Sequence, residues 1–255
     1  MNHLIFGPPG TGKTTTLSLE VKKCLSEGTP RDRIAAITYT RTAAKRARYK
    51  AAQALGIEAS DEEMKEMFPY FRTIHAFVKQ LLKIKDDEIF QEKDHLHLFG
   101  KDHNYYFTPL AQKKSTVEEL MSVKPKVTPD DVLVNTYNYS RKTKYDLSDI
   151  ISSLPSDVEH ADYITYDNLY EFGYKFSEWK KEHALLDFND WLEQALSQYS
   201  FPELDYLFVD EAQDCYQLQW DIIKKWEKVA VNVTKIGDDD QAIFVWDGAN
   251  PNLLL

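Results

Sequence analysis

Two cysteines in 255 residues are too few to staple a fold. Cys24 and Cys215 lie far apart, and no metal-ligand spacing surrounds either, so a reducing compartment is the natural expectation. Long apolar runs are also missing, and nothing approaches the length that spans a bilayer. The N-terminus lacks a basic stretch followed by a cleavable apolar segment, so no secretory signal is read there. Basic charge is in deficit. Lys and Arg total 31 against 41 Asp and Glu, a net charge of −10, which argues against gripping nucleic acid through a global basic surface. A local groove assisted by aromatic stacking stays open. No fixed-period repeat is present.

Glycine is scarce as well, yet three of the nine fall at Gly7, Gly10 and Gly12. They sit in Gly7-Pro8-Pro9-Gly10-Thr11-Gly12-Lys13-Thr14, preceded by the apolar Leu4-Ile5-Phe6 and followed by a helical pattern. This is G-x-x-x-x-G-K-[ST] in strand-loop-helix context, the pattern of a phosphate-binding loop. Glycine is used where torsions forbidden to a Cβ, or close approach to a ligand, are required. The backbone N–H groups then converge on phosphate oxygens, reinforced by the positive end of the following helix. Lys13 would bridge the outer phosphates, the Thr14 hydroxyl would hold magnesium, and Thr15 follows in the same turn. An ordinary glycine-rich turn is the competing reading; it does not account for all four constrained positions.

Along the chain, Leu17, Val21, Cys24 and Leu25 recur at helical spacing, with Gly28 placed to end that helix. Ile34 to Tyr39 reads as a buried strand. Residues 41–52 form a helix with Ala43, Ala44, Ala47 and Ala51 on one face and five basic side chains, either a solvated face or a phosphate-contacting patch. Phe71 to Phe77 enters another helix. From about 86 to 185 the chain turns charged and tyrosine-rich, and it reads as a mainly helical insertion with Thr165 or Asp167 as a helix cap. His95, His97 and His103 lack ligand spacing and read as a surface cluster. A helix opens at Asp187-Phe188-Asn189-Asp190, a strand ends in Val209-Asp210-Glu211, and a last strand closes in Gly237-Asp238-Asp239-Asp240-Gln241.

In an open parallel sheet, ligands bind beyond the carboxyl ends of the strands. One fold therefore gathers the loop, Thr38, Asp210-Glu211 and Asp238 to Gln241. Asp210 would hold magnesium through its water shell, Glu211 would orient and deprotonate an attacking water, and Gln241 would report on the γ-phosphate. Carboxylates after a strand can merely cap a helix; beside a phosphate loop they are the parts that phosphoryl transfer requires.

The ordered set resembles the UvrD/Rep-like superfamily 1 DNA helicases: the loop at 7–14, Ala36-Ile37-Thr38-Tyr39-Thr40 with Ala43-Ala44, Thr73-Ile74-His75-Ala76-Phe77, Asp187 to Asp190, Val209 to Asp214, and Gly237 to Phe244. The resemblance covers roughly residues 1–85 and 187–250. It implies an α/β fold: a RecA-like P-loop NTPase parallel sheet with helices on both faces, residues 1–85 and 186–255, interrupted by a helical insertion at 86–185. It implies ATP and Mg²⁺ as cofactors and ATP-driven 3′-to-5′ movement on single-stranded DNA, in the cytoplasm or at the nucleoid. Gly7, Pro8, Pro9, Gly10, Thr11, Gly12, Lys13, Thr14, Thr15 and Gln213 would bind the nucleotide. Lys13, Glu211 and Gln241 would act in catalysis, with Thr14 and Asp210 on the metal. Tyr39, Arg41, His75, Phe188, Phe244 and Trp246 would line the DNA path.

The sequence departs from that family in three places. It lacks the glutamine-bearing segment that reads adenine ahead of the loop. Asp247 stands where the family has arginine, an unfavourable charge beside a phosphate strand. The second motor half, which supplies arginines to the γ-phosphate, is not in these 255 residues. The expectation is a chain that binds Mg-ATP but hydrolyses it weakly and does not unwind DNA alone. A non-catalytic ATP-responsive module serving a partner complex is the alternative. A small-molecule kinase leaves Asp-Glu-Ala-Gln and Gly-Asp-Asp-Asp-Gln unexplained.

Overall fold

The structure, a computed structural model, describes residues 2–7, 11–109, 127–154 and 158–254. These residues fall into two compact units, Met1–Lys83 with Trp191–Leu255, and Ile84–Asp190.

The first unit begins with β1 (Asn2–Phe6), α1 (Lys13–Ser26), β2 (Ile34–Thr38), α2 (Arg41–Ala54), α3 (Asp61–Met67), β3 (Phe71–Thr73) and α4 (Ile74–Leu82). The second contains α5 (His97–His103), α6 (Pro129–Thr143), α7 (Leu147–Ser153) and α8 (Tyr166–Glu182). The boundary between units falls within α9 (Phe188–Gln198), after which β4 (Leu204–Val209), α10 (Gln217–Glu227) and β5 (Ala230–Gly237) complete the first unit.

The five strands form one sheet in the order β1-β5-β4-β2-β3, and every pairing is parallel. Parallel strands need crossover connections, which place helices over both sheet faces and bury both sets of side chains. The run Ile34 to Ile37 is accordingly at most 2% exposed. Ile34, Ala36, Phe208 and Ile236 pack with Leu17, Val21 and Ala51 from α1 and α2. The alternating Ala35, Ile37, Leu207 and Val209 are equally buried and point to the other face. The aromatic layer of α4 and α10 includes Phe77 and Trp226, whose rings stack at 3.9 Å.

Local chemistry sets the helix ends. Gly12 sits at the start of α1 with φ +85°, a left-handed conformation suited to glycine. Gly28, with φ +88°, lies just beyond its end. Thr40 caps α2 by accepting from Ala43 N at 3.1 Å. Arg48, one of the five basic residues of α2, is buried: it donates to the Phe71 carbonyl at 2.8 Å and to Asp61 at 3.1 Å, so it serves packing.

The second unit is helical around its own core, in which Phe99, Leu133, Leu169 and Phe172 are fully buried. Thr165 caps α8 by accepting from Asn168 N, which settles the choice between Thr165 and Asp167. Asp187 and Asp190 cap each other's backbone N–H groups at 2.7 and 2.8 Å. Arg141 donates to Asp187 at 2.8 Å and to Asp190 at 2.6 Å, and Lys180 pairs with both carboxylates. Among the described residues no helix is long and apolar enough to cross a membrane.

Candidate active site

The carboxyl ends of β1, β2, β4 and β5 carry the residues of interest, all in the first unit. Leaving β1, Gly7 accepts a hydrogen bond from Lys13 Nζ at 2.6 Å through its carbonyl. A Cβ at Gly7 would stand 2.9 Å from Thr11 Oγ1, so a side chain there would require the Thr11 side chain to shift. Lys13 is the first residue of α1, and its ammonium also reaches Asp238 Oδ2 at 3.4 Å. Thr14 and Thr15 follow in the first turn of α1, where backbone N–H groups lack helical partners. Pro8, Pro9 and Gly10 lie outside the described residues.

The end of β4 supplies Asp210, 6% exposed, whose Oδ1 accepts from Glu211 N at 3.2 Å. Burial, then the adjacent Glu211, pushes the Asp210 carboxyl up to about 6, with Lys13 and Lys50 acting in the opposite direction. Glu211 adopts φ +53°, a left-handed conformation that is uncommon for a residue with a side chain. Such strain recurs at functional turns.

Gln213 joins this turn to the end of β5. It donates from Nε2 to Glu211 Oε2 at 2.8 Å, and its Oε1 accepts from Asp238 N at 3.1 Å. The approach is close enough that a Cβ on Gly237 would meet Gln213 Oε1 at 2.6 Å. Gln241 donates its side-chain amide to Asp238, and its own N–H donates to the Asp238 carbonyl at 3.1 Å. Lys13, Gln213 and Gln241 thus meet at Asp238, with Glu211 joined through Gln213; the sequence motif contains Asp238 but assigns it no role.

Beside these groups opens a cleft of about 990 Å³. Its apolar floor includes Leu17, Val21, Ala47 and Ala51, while Asp210, Glu211 and Gln241 line its polar wall. Arg46 and Lys50, one turn apart on α2, also face it; Lys50 donates to Ser18 Oγ at 3.1 Å. Of the basic run on α2, Arg46 and Lys50 line the cleft, Arg48 is buried, and Arg41 and Lys45 are exposed.

Tyr39 and Phe244 line the same cleft with ring centroids 4.9 Å apart, and Phe244 lies 6.4 Å from Trp246, which is 76% exposed. Burial, then the charges of Asp247 and Asp214, raises the Tyr39 hydroxyl to about 12. Asp214 is itself raised to about 6 by burial and by Glu211, and its Oδ1 is buried without a hydrogen-bond partner among the described residues. Arg41 is exposed at the first turn of α2. His75 stands in the first turn of α4, hydrogen-bonded through Nε2 with the Tyr216 hydroxyl at 3.2 Å. Phe188 is 53% exposed and belongs to the second unit.

A family model described as UvrD/REP helicase N-terminal domain matches residues 1–255. The chain belongs to that family. It is 25% identical to a probable DNA helicase II homolog of Mycoplasma capricolum, over 98% of this chain and 34% of the relative. An ATP-dependent DNA helicase Rep of Buchnera aphidicola is 26% identical, over 97% of this chain and 37% of its own. An ATP-dependent DNA helicase PcrA of Leuconostoc citreum is 24% identical, over 99% and 32%. The chain spans about a third of the length of these curated relatives. As a member of the UvrD/REP helicase N-terminal family, it has the five-stranded parallel sheet of a RecA-like motor subdomain.

The residues present fit a magnesium nucleotide. Among the described residues no group of three His, Cys, Asp or Glu side chains could hold a metal by itself. Magnesium is commonly bound by one or two carboxylates together with phosphate oxygens and water rather than by an all-protein cage. Asp210, a carboxylate whose pKa is raised by burial and then by neighbouring Glu211, is a donor of that kind.

Proposed function

We propose that residues 1–255 are the ATP-binding, strand-gripping part of a DNA helicase that moves 3′ to 5′ on single-stranded DNA. The observation that carries this reading is the Gln213 bridge, which ties Glu211, the water-activating carboxylate of this reading, to Asp238, the partner of Lys13 and Gln241. Lys13 and the N–H groups of the first α1 turn bind phosphate oxygens. Asp210 with Thr14 would hold a magnesium ion, which would supply neutralising charge at the phosphates. Glu211 orients the attacking water and takes its proton, and Gln241 reads the terminal phosphate.

Tyr39, Phe244 and Trp246 offer stacking surfaces beside this site, with Arg41 and His75 as polar contacts. Base stacking on an aromatic contributes roughly 1–3 kcal/mol per base, which lets an acidic chain hold a strand. The site supplies positioning more than positive charge. An arginine at the terminal phosphate raises turnover by about 10³–10⁵. We infer that this group comes from a second motor half, within the two thirds of the relatives' length beyond the match, and that residues 1–255 alone turn over slowly.

The test is titration of a fluorescent ATP analogue with and without Mg²⁺. Tight, magnesium-dependent binding lost in Lys13→Ala is expected, and magnesium-independent binding that Lys13→Ala leaves intact overturns the reading. Joined to a second motor half, the chain should show ATP hydrolysis stimulated by single-stranded DNA and abolished by Glu211→Gln. Binding without any such turnover would favour the ATP-responsive module instead.

A further inference from the structure

Tyr216 lies two residues after the Asp210 to Asp214 turn and caps α10, its N–H donating to Gln219 Oε1 at 3.2 Å. Three segments distant in sequence meet at this residue. Its hydroxyl shares a 3.2 Å hydrogen bond with His75 Nε2 at the head of α4. Its backbone forms an antiparallel bridge with Ala249, and the adjacent Cys215 carbonyl accepts from Asn250 N at 3.2 Å. Ala249 N in turn donates to the Phe244 carbonyl at 3.1 Å. The side chain is only 6% exposed, so the ring is held by packing and the hydroxyl is aimed rather than free.

Two residues before Cys215, Gln213 grips Glu211 and Asp238. A displacement of the Asp210 to Asp214 turn therefore has a short, hydrogen-bonded route to both His75 and the segment bearing Phe244. We propose that Tyr216 is a positioning residue that couples nucleotide binding to the grip on the strand, through its hydroxyl on His75 and its backbone on Ala249. The proposal rests on the functional reading above. A phenol suits this role because its packed ring fixes the direction of the hydroxyl, which when buried takes a hydrogen-bond partner.

The experiment measures affinity of the 255-residue chain for a fluorescein-labelled dT oligonucleotide, by anisotropy, with and without saturating magnesium and a non-hydrolysable ATP analogue. For the wild type the analogue should change strand affinity by at least about fivefold, the lower end of ordinary coupling. Tyr216→Phe keeps the ring and the backbone cap and removes one hydroxyl. It should reduce that change to less than about twofold, while analogue affinity in the absence of DNA stays as in the wild type. His75→Gln, whose amide can still bond the Tyr216 hydroxyl, should retain most of the coupling, and His75→Leu should lose it. Adding Tyr216→Phe to His75→Leu should cost nothing more. Coupling that survives Tyr216→Phe in a chain that binds both ligands overturns this proposal alone. Binding of both ligands with no mutual effect in the wild type also overturns it. Failure of the wild type to bind nucleotide or strand brings down the functional reading as well.

Discussion

Burial and the neighbouring Glu211 raise the Asp210 carboxyl from an ordinary 3.8 to about 6, so the folded chain holds a proton there that the unfolded chain has released. The folded state then binds more protons between about pH 4 and 6, and stability falls as pH rises through that window. Above pH 6 the cost is fully present. At 1.36 kcal/mol per unit it amounts to roughly 1–3 kcal/mol. Asp210→Asn should therefore stabilise the chain at pH 7.5, flatten the loss between pH 4 and 6, and weaken magnesium-dependent nucleotide binding. Urea unfolding at pH 5 and 7.5 checks the first two effects; equal slopes in wild type and variant would count against them. The site keeps a carboxylate that folding alone disfavours, which is the usual exchange of stability for function. At this scale the sequence displayed Lys13, Asp210 and Glu211 through their motifs. It gave no role to Asp238, because only the closeness of the ends of β1 and β5 brings that residue to Lys13.

Helix α9 shows what an element needs beyond its own residues. Acidic residues at its positive end were legible from Asp187 and Asp190. Their cations were not. Arg141 lies 46 residues before Asp187, and Lys180 sits on α8 among residues that read as an ordinary helical face. Although burial opposes it, Arg141 and Lys180 hold the Asp187 carboxyl down at about 2. Its contribution to stability is present above about pH 4 and is lost as pH falls toward 2. Removing one partner of a buried ion cluster leaves charge uncompensated, at a cost of roughly 3–5 kcal/mol. Arg141→Ala should lower the urea midpoint accordingly at pH 7, and a midpoint shift below about 1 kcal/mol equivalent would show the pairs to be solvated rather than buried. The basic run of α2 teaches the same lesson with opposite sign. Five similar charges were visible, but only packing assigned Arg48 to the Phe71 carbonyl and turned Arg46 and Lys50 toward the cleft.

Over the whole molecule the net charge of −10 limits how a strand can be held. Single strands give a salt slope of roughly −0.7 per phosphate neutralised. With Arg46 and Lys50 lining the cleft, Arg41 exposed at the start of α2 and aromatic rings beside the cleft, the logarithm of dT-oligonucleotide affinity should fall with the logarithm of salt at a slope of about −1 to −2. Anisotropy titrations between low and physiological salt measure it, and a slope near −5 would mean that phosphate contacts rather than stacking dominate.

The sequence by itself determined the alternation of strand and helix, the phosphate loop and the acidic strand end. Each is written in short-range signals: apolar runs of strand length, glycine spacing, and side chains that cap the first turn of a helix. Local pattern could not decide strand order. The sheet places β5 between β1 and β4, and this order, β1-β5-β4-β2-β3, puts Asp238 beside Lys13 and Gln213 between Glu211 and Asp238. The Lys13–Asp238 contact joins residues 225 positions apart and the Gln213–Asp238 contact spans the ends of two strands, so neither is written in a short-range pattern. They exist because burying both faces of a parallel sheet requires crossover helices, and the crossovers determine which strand ends become neighbours.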